Sequence, residues 1–68
     1  MKIFSDRLKT ERIFNKLTQQ QMADKLGIAQ NTYGKYEKGV TEPSYENLVK
    51  ISDILDAPID YLLGKTDF

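Results

Sequence analysis

Sixty-eight residues with no cysteine, no histidine and a formal net charge of zero are enough for one small domain spanning residues 1–68. The missing thiol and imidazole remove the usual zinc ligands, any disulfide framework and the commonest acid–base group, so no metal, cofactor, small-molecule substrate or enzymatic role is expected. No apolar run approaches the roughly 20 residues of a membrane span, and the N-terminus lacks the apolar stretch of a signal peptide, so the expected location is the cytoplasm.

From residue 4 to about residue 14 the pattern is helical, with Ser5 or Asp6 near its start and Phe4 and Leu8 one turn apart on the buried side. Arg12 continues that row. An arginine in an apolar stripe either runs its stem out to solvent or meets a buried acid, for which Glu37 is the candidate. Ile13 and Phe14 broaden the apolar face, although periodicity leaves the burial of Phe14 open. Lys2, Arg7, Lys9 and Lys16 are expected to be exposed.

Residues 17–39 read as two short helices around one tight turn. Thr18 is a good N-cap, Gln21 completes a capping box, and Leu17 can pack on Met22 as a hydrophobic staple. Met22, Ala23 and Leu26 then share a face, and Gly27 supplies the left-handed residue at which the helix stops. The second helix is expected over about residues 30–37, with Ala29 at its cap position and Ile28 stapled to Tyr33. Tyr33 and Tyr36 fall on one face of it. Gln30, Asn31, Gly34, Lys35 and Lys38 fall on the other, where the amides suit bidentate bonds to adenine and a lysine can reach guanine. Such a face is suited to a major groove.

After Gly39 a loop leads to Pro43, which biases Glu42 away from helical geometry, and Ser44 can cap a fourth helix. Leu48, Ile51, Ser52 and Leu55 form its core face, with Val49 and Ile54 at the margins. Asp56 and Ala57 are a short link. Pro58 suits the first turn of a last helix that buries Ile59, Leu62 and Leu63 before Gly64 ends it, and residues 65–68 show no evident structure. The fold expected is all-α, a compact five-helix bundle containing a helix-turn-helix.

Zero net charge argues at first against a nucleic-acid partner. The charges are segregated, however: residues 1–40 hold eight Lys or Arg against four Asp or Glu, and residues 41–68 hold two against six. The helix-turn-helix lies wholly in the basic part.

The stretch LTQQQMADKLGIAQNTYGKYEKG, followed by EPSYENLVKISDILDAP and DYLLG, resembles the phage-repressor and Cro-like helix-turn-helix family of bacterial and prophage regulators. The likeness covers nearly the whole chain. It implies a lambda-repressor-like bundle that binds double-stranded DNA sequence-specifically as a transcriptional regulator, chiefly a repressor. Gln30, Asn31 and Lys35, with Thr32 beside them, would meet base edges. Thr18, Gln19 and Lys38 would meet phosphate, with Gln19 also buttressing Gln30. An arginine and a glutamate at the positions of Arg12 and Glu37 often pair structurally in the family, and Tyr36 matches a core aromatic. Gly34 costs about 1 kcal/mol relative to alanine inside a helix, and close backbone approach to the groove would explain it.

Two departures stand out. Ala29 occupies a position where relatives carry a capping Ser or Thr, and the 40–42 loop is poor in basic residues, leaving Thr41 and backbone amides to meet phosphate. The family acts in pairs, so a homodimer on a pseudo-palindromic operator is expected, with reading helices about 34 Å apart. Residues 59–68, through Tyr61 and Phe68, would help two copies meet. The rival role is a protein-interaction module on the same fold without DNA binding. An enzyme has only Asp53, Asp56 and Asp60 to offer, a solvated acidic stretch with no nucleophile–base pair.

Overall fold

Local chemistry sets most helix boundaries in the computed structural model, which describes residues 2–67. Its five helices are α1 (Lys2–Phe14), α2 (Gln19–Leu26), α3 (Gln30–Lys38), α4 (Tyr45–Leu55) and α5 (Ile59–Leu62), with no strand among the described residues. The Ser44 hydroxyl caps α4 by accepting the Asn47 N–H at 3.2 Å. At its other end Asp56 takes the left-handed conformation, φ 51°, and its N–H bonds back to the carbonyls of Ser52 and Asp53. The helix therefore stops there. Pro58 sits at the N-cap of α5 rather than inside its first turn, and α5 is only four residues long.

Phe4 and Leu8 of α1, Met22, Ala23 and Leu26 of α2, Tyr33 and Tyr36 of α3, Ile51 and Leu55 of α4, Ala57 and Leu62 make one core. Leu17, Ile28, Leu48, Ile54 and Tyr61 pack around it, half-buried. The two tyrosines meet edge to face, ring centroids 6.1 Å apart, a geometry aromatic pairs favour. Truncating a core side chain such as Leu8 costs about 2–5 kcal/mol. No helix among the described residues is long and apolar enough to cross a membrane.

Four expectations need correction. Arg7 is not simply exposed: its guanidinium donates to the carbonyls of Tyr61 at 2.5 Å and Thr66 at 2.7 Å, and lies 4.4 Å from the Tyr61 ring centre. It clamps the end of α5 to α1. Ile13 and Phe14 do not broaden the buried face, since Phe14 is 78% exposed and Ile13 56%. The chain leaves α1 through a turn at Asn15 and Lys16, the latter at φ 60°, and the Ile13 and Phe14 side chains stay outside the core of described residues. Leu63, beyond the last turn of α5, is 38% exposed rather than buried. α1 begins at Lys2, two residues before the expected start, so Ser5 lies buried within it. Phe68 lies outside the described residues.

Candidate nucleic-acid interface

The α2–turn–α3 unit is set by a side-chain capping box at one end of α2 and a left-handed glycine at the other. Thr18, at φ −83° and ψ 165°, accepts the Gln21 N–H on its hydroxyl at 3.0 Å, while Gln21 Oε1 accepts the Thr18 N–H at 2.8 Å. This reciprocal box accounts for two of the four N–H groups that a helix start leaves over. Those of Gln19 and Gln20 keep no acceptor within the helix. At the other end Gly27 adopts φ 71°; its N–H reaches Asp24 O at 3.2 Å and the Ile28 N–H reaches Ala23 O at 3.0 Å. That closure ends α2 and turns the chain. Ala29 then opens α3 from an extended backbone with no side-chain cap.

α3 has two distinct faces. Tyr33 and Tyr36 are buried, whereas Gln30, Asn31, Thr32, Lys35 and Lys38 are exposed. No side-chain hydrogen bond or ion pair among the described residues engages Asn31, Thr32, Lys35 or Lys38. Gly34, half-buried, has room for more: an added Cβ would lie 3.7 Å from Gln19 Oε1, an ordinary contact. The fold itself does not demand glycine there. Thr18 and Gln19 stand at the start of α2, and Lys38 and Thr41 at and beyond the end of α3. Backbone amides of the loop are less available than expected, because the N–H groups of Val40 and Thr41 both turn back to Lys35 O, at 3.0 and 3.5 Å. Thr41 is exposed.

Behind this face lies a polar network centred on Glu37, whose side chain is 3% exposed. Arg12 Nε donates to Oε2 at 2.6 Å and Nη2 to Oε1 at 3.2 Å, a two-bond fork, while Nη1 donates to Leu17 O at 2.8 Å. The Tyr33 hydroxyl donates to Oε2, and Gln19 Nε2 donates to Oε1 at 3.1 Å. Gln30 Nε2 in turn donates to Gln19 Oε1 at 3.4 Å. Burial alone would raise the Glu37 carboxyl, but the hydrogen bonds from Arg12, Tyr33 and Gln19, with the Arg12 charge, outweigh it and hold the group below the ordinary carboxylate range. The bond to Glu37 raises Arg12, and burial followed by the bond to Glu37 raises Tyr33. Glu37 thus accepts hydrogen bonds from α1, α2 and its own helix and ties the three together.

Sequence reasoning placed Tyr33 only in the core. Its hydroxyl also completes the Glu37 cage, and the four-residue spacing on one helix face was the available signal.

A helix-turn-helix family model matches residues 8–62. The HTH-type transcriptional regulator YqaE of Bacillus subtilis is 56% identical over 61 residues, which cover 90% of this chain and 53% of YqaE. The cryptic phage CTXphi transcriptional repressor RstR of Vibrio cholerae is 49% identical over 65 residues, 96% of this chain and 57% of RstR. The chain therefore spans a little over half the length of these two relatives. The crystal structure of the P22 c2 repressor in complex with a synthetic operator matches with a TM-score of 0.86 at 28% identity, over 93% of this chain and 96% of that one. Capped turn, two-faced third helix and these matches agree, and the chain belongs to the helix-turn-helix family of Cro and phage-repressor type.

Proposed function

We propose that this chain is the sequence-specific double-stranded DNA-binding part of a transcriptional repressor, reading the major groove with α3. One observation carries it: α3 is buttressed from behind by Tyr33, Tyr36 and Glu37 while its outer face holds amides and lysines out to solvent. Gln30 and Asn31 pair with adenine edges, Lys35 with guanine, and Thr32 with either a base or a thymine methyl. Thr18, Gln19, Lys38 and Thr41 grip phosphates, helped by the first-turn N–H groups of α2. These contacts position the domain without reading sequence.

Two copies act on a pseudo-palindromic operator, as the family's docking geometry requires, in the cytoplasm of a bacterium or of a phage's host. Catalysis has no part in it. RstR, named a phage transcriptional repressor, and the operator-bound P22 c2 repressor support repression as the regulatory outcome.

Selection of bound sites from random duplex DNA tests this directly. A defined motif with steep salt dependence is expected, since each neutralised phosphate contributes to the slope. Gln30→Ala, Asn31→Ala and Lys35→Ala should each cost about 1–3 kcal/mol on the selected site and relax one or two positions. Absence of any selected motif, together with salt-insensitive binding of a protein partner, would instead favour an interaction module.

A further inference from the structure

We infer that Glu37 is a specificity-determining residue that never touches DNA: through Gln19 it sets the hydrogen-bond polarity of Gln30 and commits that residue to adenine. This rests on the DNA-binding reading of α3 given above. The chain of reasoning begins at the buried end. An ionised carboxylate only accepts hydrogen bonds, and Glu37 is kept ionised by the Arg12 fork. The Gln19 group that faces Glu37 Oε1 at 3.1 Å must therefore be the NH2. Its carbonyl oxygen is left on the opposite side, above Gly34, where an added Cβ would meet it at 3.7 Å. An oxygen there calls for a donor, and Gln30 answers with Nε2 at 3.4 Å.

Gln30 consequently has one N–H and its whole carbonyl oxygen left to present to the groove. Adenine offers the complementary pair, the N7 acceptor beside the N6 amino donor. Guanine shows two acceptors, thymine an acceptor and a methyl, and cytosine a lone amino donor, so none accepts both groups of this amide. A glutamine without such an anchor reverses its amide freely and presents either polarity. Discrimination at that base pair is thus written partly in a buried residue on the far side of α2's first turn. The role is one of positioning, and its signature is confined to a single base pair.

The test has two arms, both on the full chain. In the free protein, NMR should show the side-chain NH2 signals of Gln19 and Gln30 moving together, and exchanging faster, in Glu37→Gln. Unchanged signals in a folded Glu37→Gln overturn the relay whatever the protein does with DNA. In the second arm, duplexes differing only at the base pair identified by Gln30→Ala compete for the protein. The parent should favour adenine there, and Glu37→Gln should lower that preference about tenfold, within the range one bidentate contact supplies, leaving the Asn31 and Lys35 positions unaltered.

Gln19→Met, which spares the Arg12 fork, should lose the same adenine preference on top of an even fall in affinity from its own phosphate contact, and adding Glu37→Gln to it should change the preference no further. If Glu37→Gln fails to fold, Glu37→Asp, which keeps the charge but draws the carboxylate back from Gln19, takes its place in both arms. Retained adenine preference, or a loss of base preference spread evenly over all positions, overturns the proposal while leaving DNA recognition in place. A parent that binds no duplex removes the DNA-binding reading and the proposal with it.

Discussion

Glu37 and Arg12, with side chains 3% and 12% exposed, satisfy each other's charge inside the protein, and removing either leaves the other unanswered. Breaking such a pair costs about 3–5 kcal/mol, a large share of what a small domain has. Arg12→Ala and Glu37→Ala should both melt far below the parent, and a double-mutant cycle should show strong coupling rather than additivity. The pH response follows from the depressed Glu37 carboxyl. Its stabilising contribution is complete above the unfolded value of about 4.3 and is lost as pH falls through the lower folded value. Melting curves below about pH 4.3 should therefore drop more steeply for the parent than for Glu37→Gln. Gly34 is a second informative position. Alanine fits there and favours a helix by about 1 kcal/mol, so Gly34→Ala should raise the melting temperature. The same methyl would stand beside Gln19 Oε1, the acceptor that holds Gln30, and operator affinity should fall. A variant that binds as well as the parent would show that this edge of α3 tolerates a side chain on the operator.

α3 differs from its neighbours in how it begins. α2 and α4 start on Thr18 and Ser44, each accepting a main-chain N–H, whereas Ala29 accepts none. Its backbone, φ −70° and ψ 149°, is already that of a capping residue. Ala29→Ser should add about 0.5–2 kcal/mol of stability, and hydrogen exchange in the first turn of α3 should slow; no change in either would mean another group already satisfies those donors. Capping boxes, left-handed glycines and helix periodicity act over a few residues, which is why Thr18, Gln21, Gly27 and the Tyr33–Tyr36 face were legible in the sequence. Arg7 was not, because its acceptors are carbonyls 54 and 59 residues away. Nothing in the local pattern distinguishes it from a surface arginine. Ile13 and Phe14 misled for the opposite reason: they obey the helical period, but the turn that follows carries the chain away. Leu63 likewise continues the apolar pattern past the point where α5 stops. At the candidate interface the exposed amides of α3 were legible from spacing, while the part played by the Tyr33 hydroxyl depended on where three helices converge.

Taken whole, the chain has no net charge, yet its first forty residues carry the basic surplus and the helix-turn-helix with it. Attraction to DNA should therefore come from a few local contacts rather than from a general positive field. Lys38→Ala should lower the slope of log affinity against log salt by about 0.9 and weaken all duplexes alike. A changed sequence preference with an unchanged slope would place Lys38 on a base instead. The division of α3 into a face that packs and a face that meets solvent also bears on redesign. Among the described residues, Asn31, Thr32 and Lys35 contribute no side chain to the core and engage none in the polar network. Exchanging them should leave the scaffold standing, so this face can be rewritten one residue at a time. Gln30 is the exception, because its side chain is tied through Gln19 to the buried Glu37, and a change there reaches into the mount itself.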